Sequence, residues 1–77
     1  MEEVIIDPGS ACAGHHVRDL AWPANSVIAS LRRGDQFVIV RGDTILLEED
    51  VLMLIADDDA LHEIQKLCKL KKSVTGG

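Results

Sequence analysis

Three histidines and two cysteines are the first residues in this 77-residue chain that could do chemistry. His15 and His16 are neighbours, and neighbouring side chains on a helix point about 100° apart, so the pair is not a ready two-ligand metal site. His62 could join them only through the fold. Structural or solvated roles, metal binding and a pH-sensing role all stay open for these histidines. We expect no resident metal.

The cysteines, Cys12 and Cys68, could act as a nucleophile or form a disulfide. Cys68 lies on the apolar face of a predicted helix, where cysteine behaves as a small hydrophobic residue. Cys12 precedes a predicted helix, and a helix N-terminus can lower the pKa of a thiol. No neighbouring base is identifiable for either. We therefore expect neither a catalytic thiol nor a covalent staple.

Two acidic clusters lie at residues 48–50 and 57–59. Neither has the alternating oxygen ligands and central glycine of a calcium-binding loop, so a tight turn and helix capping explain them better, and a weak surface site for a divalent cation stays open. The sequence also lacks a phosphate-binding glycine loop and a carboxylate pair with convincing spacing. We expect that the protein is not an enzyme.

Arg32 and Arg33 end a predicted strand, where successive side chains face opposite sides of a sheet. One of them could grip an anionic ligand bidentately, or each could be solvated or paired with a carboxylate. We take both as candidate ligand-binding residues.

Trp22, the only tryptophan, precedes a proline and could cover the edge of the core or lie in an interface, where tryptophan is favoured. We take it as a candidate interface residue.

The apolar pattern predicts the elements that position these residues. A strand is predicted at about residues 3–7 and a short helix within residues 14–22, before Pro23. Gly34 and Asp35 separate two β-rich runs and predict a hairpin with a type II′ turn. The predicted hairpin strands span residues 26–33 and 36–40, a third hairpin strand spans 44–47, a strand that is apolar throughout spans 51–56, and a final helix starts at 57–59.

The fold class that follows is α+β, with two layers and a mostly antiparallel sheet. The predicted order is strand-helix-strand-strand-strand-strand-helix. The continuous apolar character of residues 51–56 is typical of a strand that is covered on both faces.

The length and charge of the chain limit its domain number and its possible partners. We expect one domain at residues 1–72 and a flexible tail at residues 73–77. The formal net charge of −5 repels phosphate backbones and argues against nucleic acid as a partner. No apolar run approaches the roughly 20 residues of a membrane span, and the acidic N-terminus does not look like an export signal. A core this small is marginal alone, so we expect a homodimer.

Three segments, residues 14–20, 26–35 and 41–56, together resemble the TrkA C-terminal domain family, also called RCK-C. The family pattern has a glycine that opens a helix and a leucine that closes it, then a strand ending in basic residues and a glycine-aspartate-threonine turn. A leucine and a glycine-aspartate pair then precede an apolar strand. The chain departs from this pattern at Val40, where proline is frequent, and at Glu49, where glycine is usual; Asp50 matches.

The resemblance implies a cytoplasmic regulatory domain, at the inner face of the cell membrane, that belongs to an ion channel or transporter for cations or chloride. Members usually dimerise and work with a membrane-embedded portion of the same or a partner chain. Some bind small ligands at the dimer interface, cyclic di-AMP among them. We expect no resident cofactor, although a cyclic dinucleotide or another small anionic ligand fits this picture.

In the mechanism that we expect, a ligand or partner shifts the domain between two dimer geometries. Two alternatives stay open. One is a purely structural dimerisation module that binds no ligand. The other is a small β-rich regulator that binds nucleic acid, against which the negative net charge speaks.

Overall fold

A computed structural model describes residues 1–69 of the chain. Its elements are strand β1 (Glu2–Ile5), a single 3-10 turn (Val17–Asp19), strands β2 (Ser26–Arg33), β3 (Gln36–Ile39) and β4 (Val51–Ala56), and helix α1 (Asp58–Cys68). The predicted domain limit at residue 72 and the predicted flexible tail at residues 73–77 lie outside the described residues.

The four strands form one sheet in the order β1-β4-β2-β3, and every neighbouring pair is antiparallel. Helix α1 packs on one face of this sheet, against β1 and β4. The predicted α+β class with two layers and an antiparallel sheet is therefore confirmed.

The core lies between the sheet and α1. It is formed by side chains from β1, β2, β4 and the helix, together with residues from the connecting segments: Val4, Ile6, Cys12, Leu31, Leu46, Leu52, Leu54, Ile64 and Cys68. The apolar residues of α1 recur at helical spacing, which directs Ile64 and Cys68 to the same buried face.

Two local signals in the sequence act as predicted. Gly34 has a positive φ of 60° between β2 and β3, as the type II′ hairpin turn requires. At the start of α1, the Asp57 carboxylate accepts a hydrogen bond from the backbone N–H of Ala60 at 2.8 Å. This capping bond satisfies one of the amides that a helix N-terminus leaves without a partner.

The predicted helix within residues 14–22 is wrong in extent, because only Val17–Asp19 forms a single 3-10 turn. Gly14 has a positive φ of 81°, which is not helical. The backbone N–H groups of Gly14, Val17 and Arg18 donate to carbonyls of residues 46, 44 and 42, so they cannot build a helix.

The third hairpin strand predicted at residues 44–47 is also wrong. This segment makes one isolated bridge, between Ile45 and His16, and does not join the sheet. Its hydrogen bonds go to the segment that was expected to be helical, including Leu46 N–H to the His15 carbonyl at 3.0 Å. The two mispredictions therefore have one cause, since each segment is the other's hydrogen-bonding partner.

The prediction that residues 51–56 are covered on both faces is wrong for this chain alone. Leu52 and Leu54 point into the core and are buried, but Val51 and Met53 are only half-buried and Ile55 is exposed. The described residues supply one layer of cover, α1 and its neighbouring loops, and they leave the other face of the sheet open.

Candidate functional site

Arg33 and Asp50 form a two-pronged ion pair at the end of the sheet. The Arg33 Nε donates to Asp50 Oδ1 at 2.9 Å, and an Arg33 Nη donates to Asp50 Oδ2 at 2.7 Å. The Asp50 side chain is 2% exposed and that of Arg33 is 38% exposed. The hydrogen bonds to Asp50 raise the pKa of Arg33 above its ordinary value, although burial acts in the opposite direction.

The same two side chains also hold the backbone of the segment before β4. The Asp50 carboxylate accepts from the Leu47 N–H at 2.9 Å, and Arg33 donates to the Ile45 carbonyl at 3.0 Å. A buried carboxylate with three hydrogen bonds is well satisfied. Arg33 thus donates three hydrogen bonds within the domain, and these contacts give it a structural role that links β2 to the segment before β4.

The open face of the sheet is the main exposed apolar surface of the described residues. We define it as the outward side chains Glu3, Ile5, Val27, Ser30, Arg32, Phe37, Ile39, Val51, Met53 and Ile55, which the strand register places on one side. Val27 is 62% exposed, Phe37 66%, Ile39 69% and Ile55 59%. Large contiguous apolar surfaces of this kind are uncommon on monomeric proteins, so the open face is the candidate interaction surface of the described residues.

Arg32 lies on the open face, next to Phe37 on β3 and Val51 on β4. Its side chain is exposed, and no hydrogen bond or ion pair to it is formed within residues 1–69. The alternation of strand side chains has therefore separated the two neighbouring arginines, with Arg33 directed to Asp50 and Arg32 directed outward.

Trp22 lies away from the open face. Its indole Nε1 donates to the Val17 carbonyl at 2.9 Å, and its ring is half-buried against the core. Together with Val17, Ile28 and Val40 it borders a small cleft of about 230 Å³. Its assignment to an interface stays a prediction.

The histidines do not converge. His16 approaches Asp19 at 3.7 Å between Nδ1 and Oδ2, and His62 lies on the exposed side of α1. Within residues 1–69, no group of three histidine, cysteine or acidic side chains is arranged to hold a metal ion. Of the acidic clusters, residues 48–50 supply the Asp50 ion pair and residues 57–59 start α1.

Two contacts were not predicted from the sequence, and both join residues that are distant in the chain. One is the pairing of Arg33 with Asp50. The other is the close approach of Cys12 and Cys68, whose sulfur atoms lie 3.3 Å apart. Neither has a local signal, because each depends on how the strands and loops are arranged in space.

The comparisons with known proteins agree on one family. A family model described as the TrkA-C domain matches residues 1–69. The Trk system potassium uptake protein TrkA homolog of Archaeoglobus fulgidus is 33% identical over 54 residues, which cover 70% of this chain and 12% of that protein. The Trk system potassium uptake protein trkA homolog 1 of Methanosarcina mazei is 25% identical over 73 residues, covering 95% of this chain and 18% of that protein.

The chain thus spans less than a fifth of the length of these curated relatives. A solved structure described as "Structure of RCK domain with cda" has a TM-score of 0.75 at 14% identity, covering 88% of this chain and 96% of that chain. At that identity the likeness concerns the fold. No helix among residues 1–69 is both long enough and apolar enough to cross a membrane.

Proposed function

The chain belongs to the TrkA-C domain family, and on this premise we propose that it is a non-catalytic regulatory domain of a potassium transport system. The observation that carries the proposal is the family match over residues 1–69, with curated relatives that are named potassium uptake proteins. These names favour potassium over the chloride transport that the resemblance also allowed. The domain then acts in the cytoplasm, at the inner face of the membrane, with a membrane-embedded partner.

The proposal is tested in the cell that encodes the chain. The coding region for residues 1–69 is deleted in frame, and the uptake of potassium or its tracer rubidium is measured. We expect a changed uptake rate, because a regulatory domain has been removed. Unchanged potassium uptake together with a changed chloride flux would instead support a chloride transporter as the host, and no change in either would contradict a role in ion transport.

We further propose that two copies associate through the open face. This face carries the exposed apolar side chains Val27, Phe37, Ile39 and Ile55, whose burial against a second copy is favourable by roughly 25 cal/mol per Å². Its charged residues are one carboxylate, Glu3, and one guanidinium, Arg32. Two copies can therefore meet here without net like-charge repulsion, although the whole chain carries −5.

The dimer is tested by measuring molar mass by light scattering over a range of protein concentrations. We expect the unmodified chain to form a dimer and the variant Val27→Glu to be a monomer, because a buried carboxylate on this face is costly. The matched control is Ala24→Glu, which adds the same charge at an exposed position outside the open face. A dimer that Val27→Glu leaves intact would place the interface elsewhere.

Within this dimer, we propose that Arg32 contacts a small anionic ligand such as a cyclic dinucleotide. Arg32 is exposed among apolar side chains, and a guanidinium there can bind a phosphate bidentately while bases pack on the apolar surface. Binding would couple to regulation if the ligand favours one of two dimer geometries. Arg33 is the weaker candidate, since its Nε and one Nη already donate to Asp50 and Ile45.

Calorimetric titration with cyclic di-AMP tests this step, with Arg32→Ala as the variant and Arg41→Ala as the control. We expect Arg32→Ala to weaken binding at least tenfold, because a charge-assisted bidentate contact contributes about 1.5–3 kcal/mol. Arg41→Ala removes an exposed arginine outside the open face and should bind as the unmodified chain does. A dimer with no affinity for cyclic di-AMP would favour the purely structural dimerisation module.

A further inference from the structure

Cys12 and Cys68 bring their thiols into contact inside the core. Their sulfur atoms lie 3.3 Å apart although the residues are 56 positions apart in sequence. Both are free cysteines, and both side chains have 0% exposure. Cys12 lies on the loop after β1, and Cys68 is the last residue of α1.

Two backbone hydrogen bonds hold this contact in place. The Asp7 N–H donates to the Cys68 carbonyl at 2.8 Å, and the Cys12 N–H donates to the Leu67 carbonyl at 3.2 Å. The last carbonyls of a helix have no partner within the helix. The N–H groups of the loop supply partners to two of them, the carbonyls of Leu67 and Cys68. The loop at residues 7–12 is therefore hydrogen-bonded to the end of α1, and the two thiols meet where the loop and the helix are in contact.

We propose that Cys12 and Cys68 are a dithiol site that closes to a reversible intramolecular disulfide, with a low-molecular-weight disulfide of the glutathione type as the oxidant. A disulfide bond is about 2.05 Å long, so each sulfur needs to move only about 0.6 Å from its present position. Rotation of the two side chains supplies a shift of this size.

The two thiols have different roles in this exchange. The hydrogen bond between the two thiols lowers the pKa of Cys12, whereas the same bond, with burial, raises the pKa of Cys68. Cys12 lies on the loop beside the cleft, whereas Cys68 is held in helix α1. We therefore assign the first step to Cys12: its thiolate attacks one sulfur of the oxidant, and the oxidant's S–S bond breaks to release one thiolate. The product is a mixed disulfide between Cys12 and half of the oxidant.

The second step closes the protein disulfide. The released thiolate takes the proton of Cys68, and the Cys68 thiolate attacks the Cys12 sulfur of the mixed disulfide. The bond between Cys12 and the oxidant breaks, and the second thiolate takes a proton from water, equivalent to the one that Cys12 lost. The protein loses two electrons and two protons, and the oxidant becomes two thiols.

A cleft beside the loop is the route by which the oxidant can approach. Gly9 and Ala11 border it on the loop, and Leu67 and Lys69 border it on the other side. Ala11 is the sequence neighbour of Cys12, and Leu67 and Lys69 are the neighbours of Cys68. The thiols themselves do not reach the surface, so the loop must open before the first step. Local opening of this kind makes the reaction slow compared with that of an exposed thiol.

The test uses the reduced, folded chain in mixtures of glutathione and glutathione disulfide. We expect a mass loss of about 2 Da per chain without cross-linking between chains. We also expect a rise in Tm of about 10 °C or more that dithiothreitol reverses, because the bond closes a long loop. Retention of both thiols in a strongly oxidising mixture, a disulfide only between chains, or closure only in denaturant would each overturn the proposal.

Single-cysteine variants test the order of the steps. Cys68→Ala should accumulate a mixed disulfide of Cys12 with glutathione, because no second thiol remains to displace it. Cys12→Ala should form the corresponding adduct at least tenfold more slowly, since Cys68 is buried at the end of helix α1 and does not move with the loop. Equal rates would overturn the attacking role of Cys12, and the result with the unmodified chain decides the disulfide itself even if a variant does not fold.

Discussion

Glu49 holds a left-handed backbone conformation with a φ of 71°, at the position where the family usually has glycine. A non-glycine residue in this conformation is strained by about 1–2 kcal/mol, and a substitution by glycine removes that strain. Glycine also loses more backbone entropy on folding, which costs about 0.5–1 kcal/mol and offsets part of the gain. We expect Glu49→Gly to raise the free energy of unfolding by about 0.5–1 kcal/mol in urea titrations. Glu48→Gly is the control, because Glu48 has no positive φ, and it should not stabilise the chain.

Asp50 is a second residue whose contribution can be measured alone. Asp50→Asn keeps the size of the side chain but removes the charge that faces Arg33. We expect the free energy of unfolding to fall by about 2–3 kcal/mol, because hydrogen bonds to charged groups contribute about 1.5–3 kcal/mol. Asp43→Asn, at an exposed turn, should change it by less than about 0.5 kcal/mol. Equal effects would contradict the structural role of the ion pair.

At the scale of elements, the start of α1 depends on one side chain. Asp57 accepts from the Ala60 N–H and from the Asn25 side chain, at 2.8 and 3.0 Å. We expect Asp57→Ala to lower the free energy of unfolding by about 1 kcal/mol. Asp58→Ala, one residue later, removes the same charge but no capping bond, so it should lower the free energy of unfolding by only about 0.3 kcal/mol. Thermal unfolding followed by circular dichroism measures both.

Some elements could be predicted from the sequence, and others could not. The β2–β3 hairpin and the start of α1 were predictable, because Gly34 and Asp57 act on their immediate neighbours. The segments at residues 14–18 and 42–46 were not, since each satisfies the backbone of the other across the domain. The candidate site follows the same division. The position of Arg32 and Arg33 at a strand end makes them candidates, but it does not identify Asp50, 17 residues away, as the partner of Arg33.

At the scale of the whole molecule, the open face makes stability depend on concentration if two copies cover it. We expect Tm to rise with protein concentration, because association adds to the stability of the folded state by mass action. Val27→Glu should remove this dependence, whereas Ala24→Glu should retain it. A Tm of the unmodified chain that is constant over a hundredfold range of concentration would mean that the folded state does not associate.

The strand order has a consequence for how the chain folds. The β2–β3 hairpin joins residues that are close in sequence, whereas β1 pairs Glu2 with Leu54 on β4. Contacts between distant residues carry a larger entropy cost of loop closure, and they form late. We therefore expect the hairpin to belong to the folding nucleus and β1 to dock last. Until β1 docks, one edge of β4 remains open, and the intermediate is exposed to strand exchange with another chain.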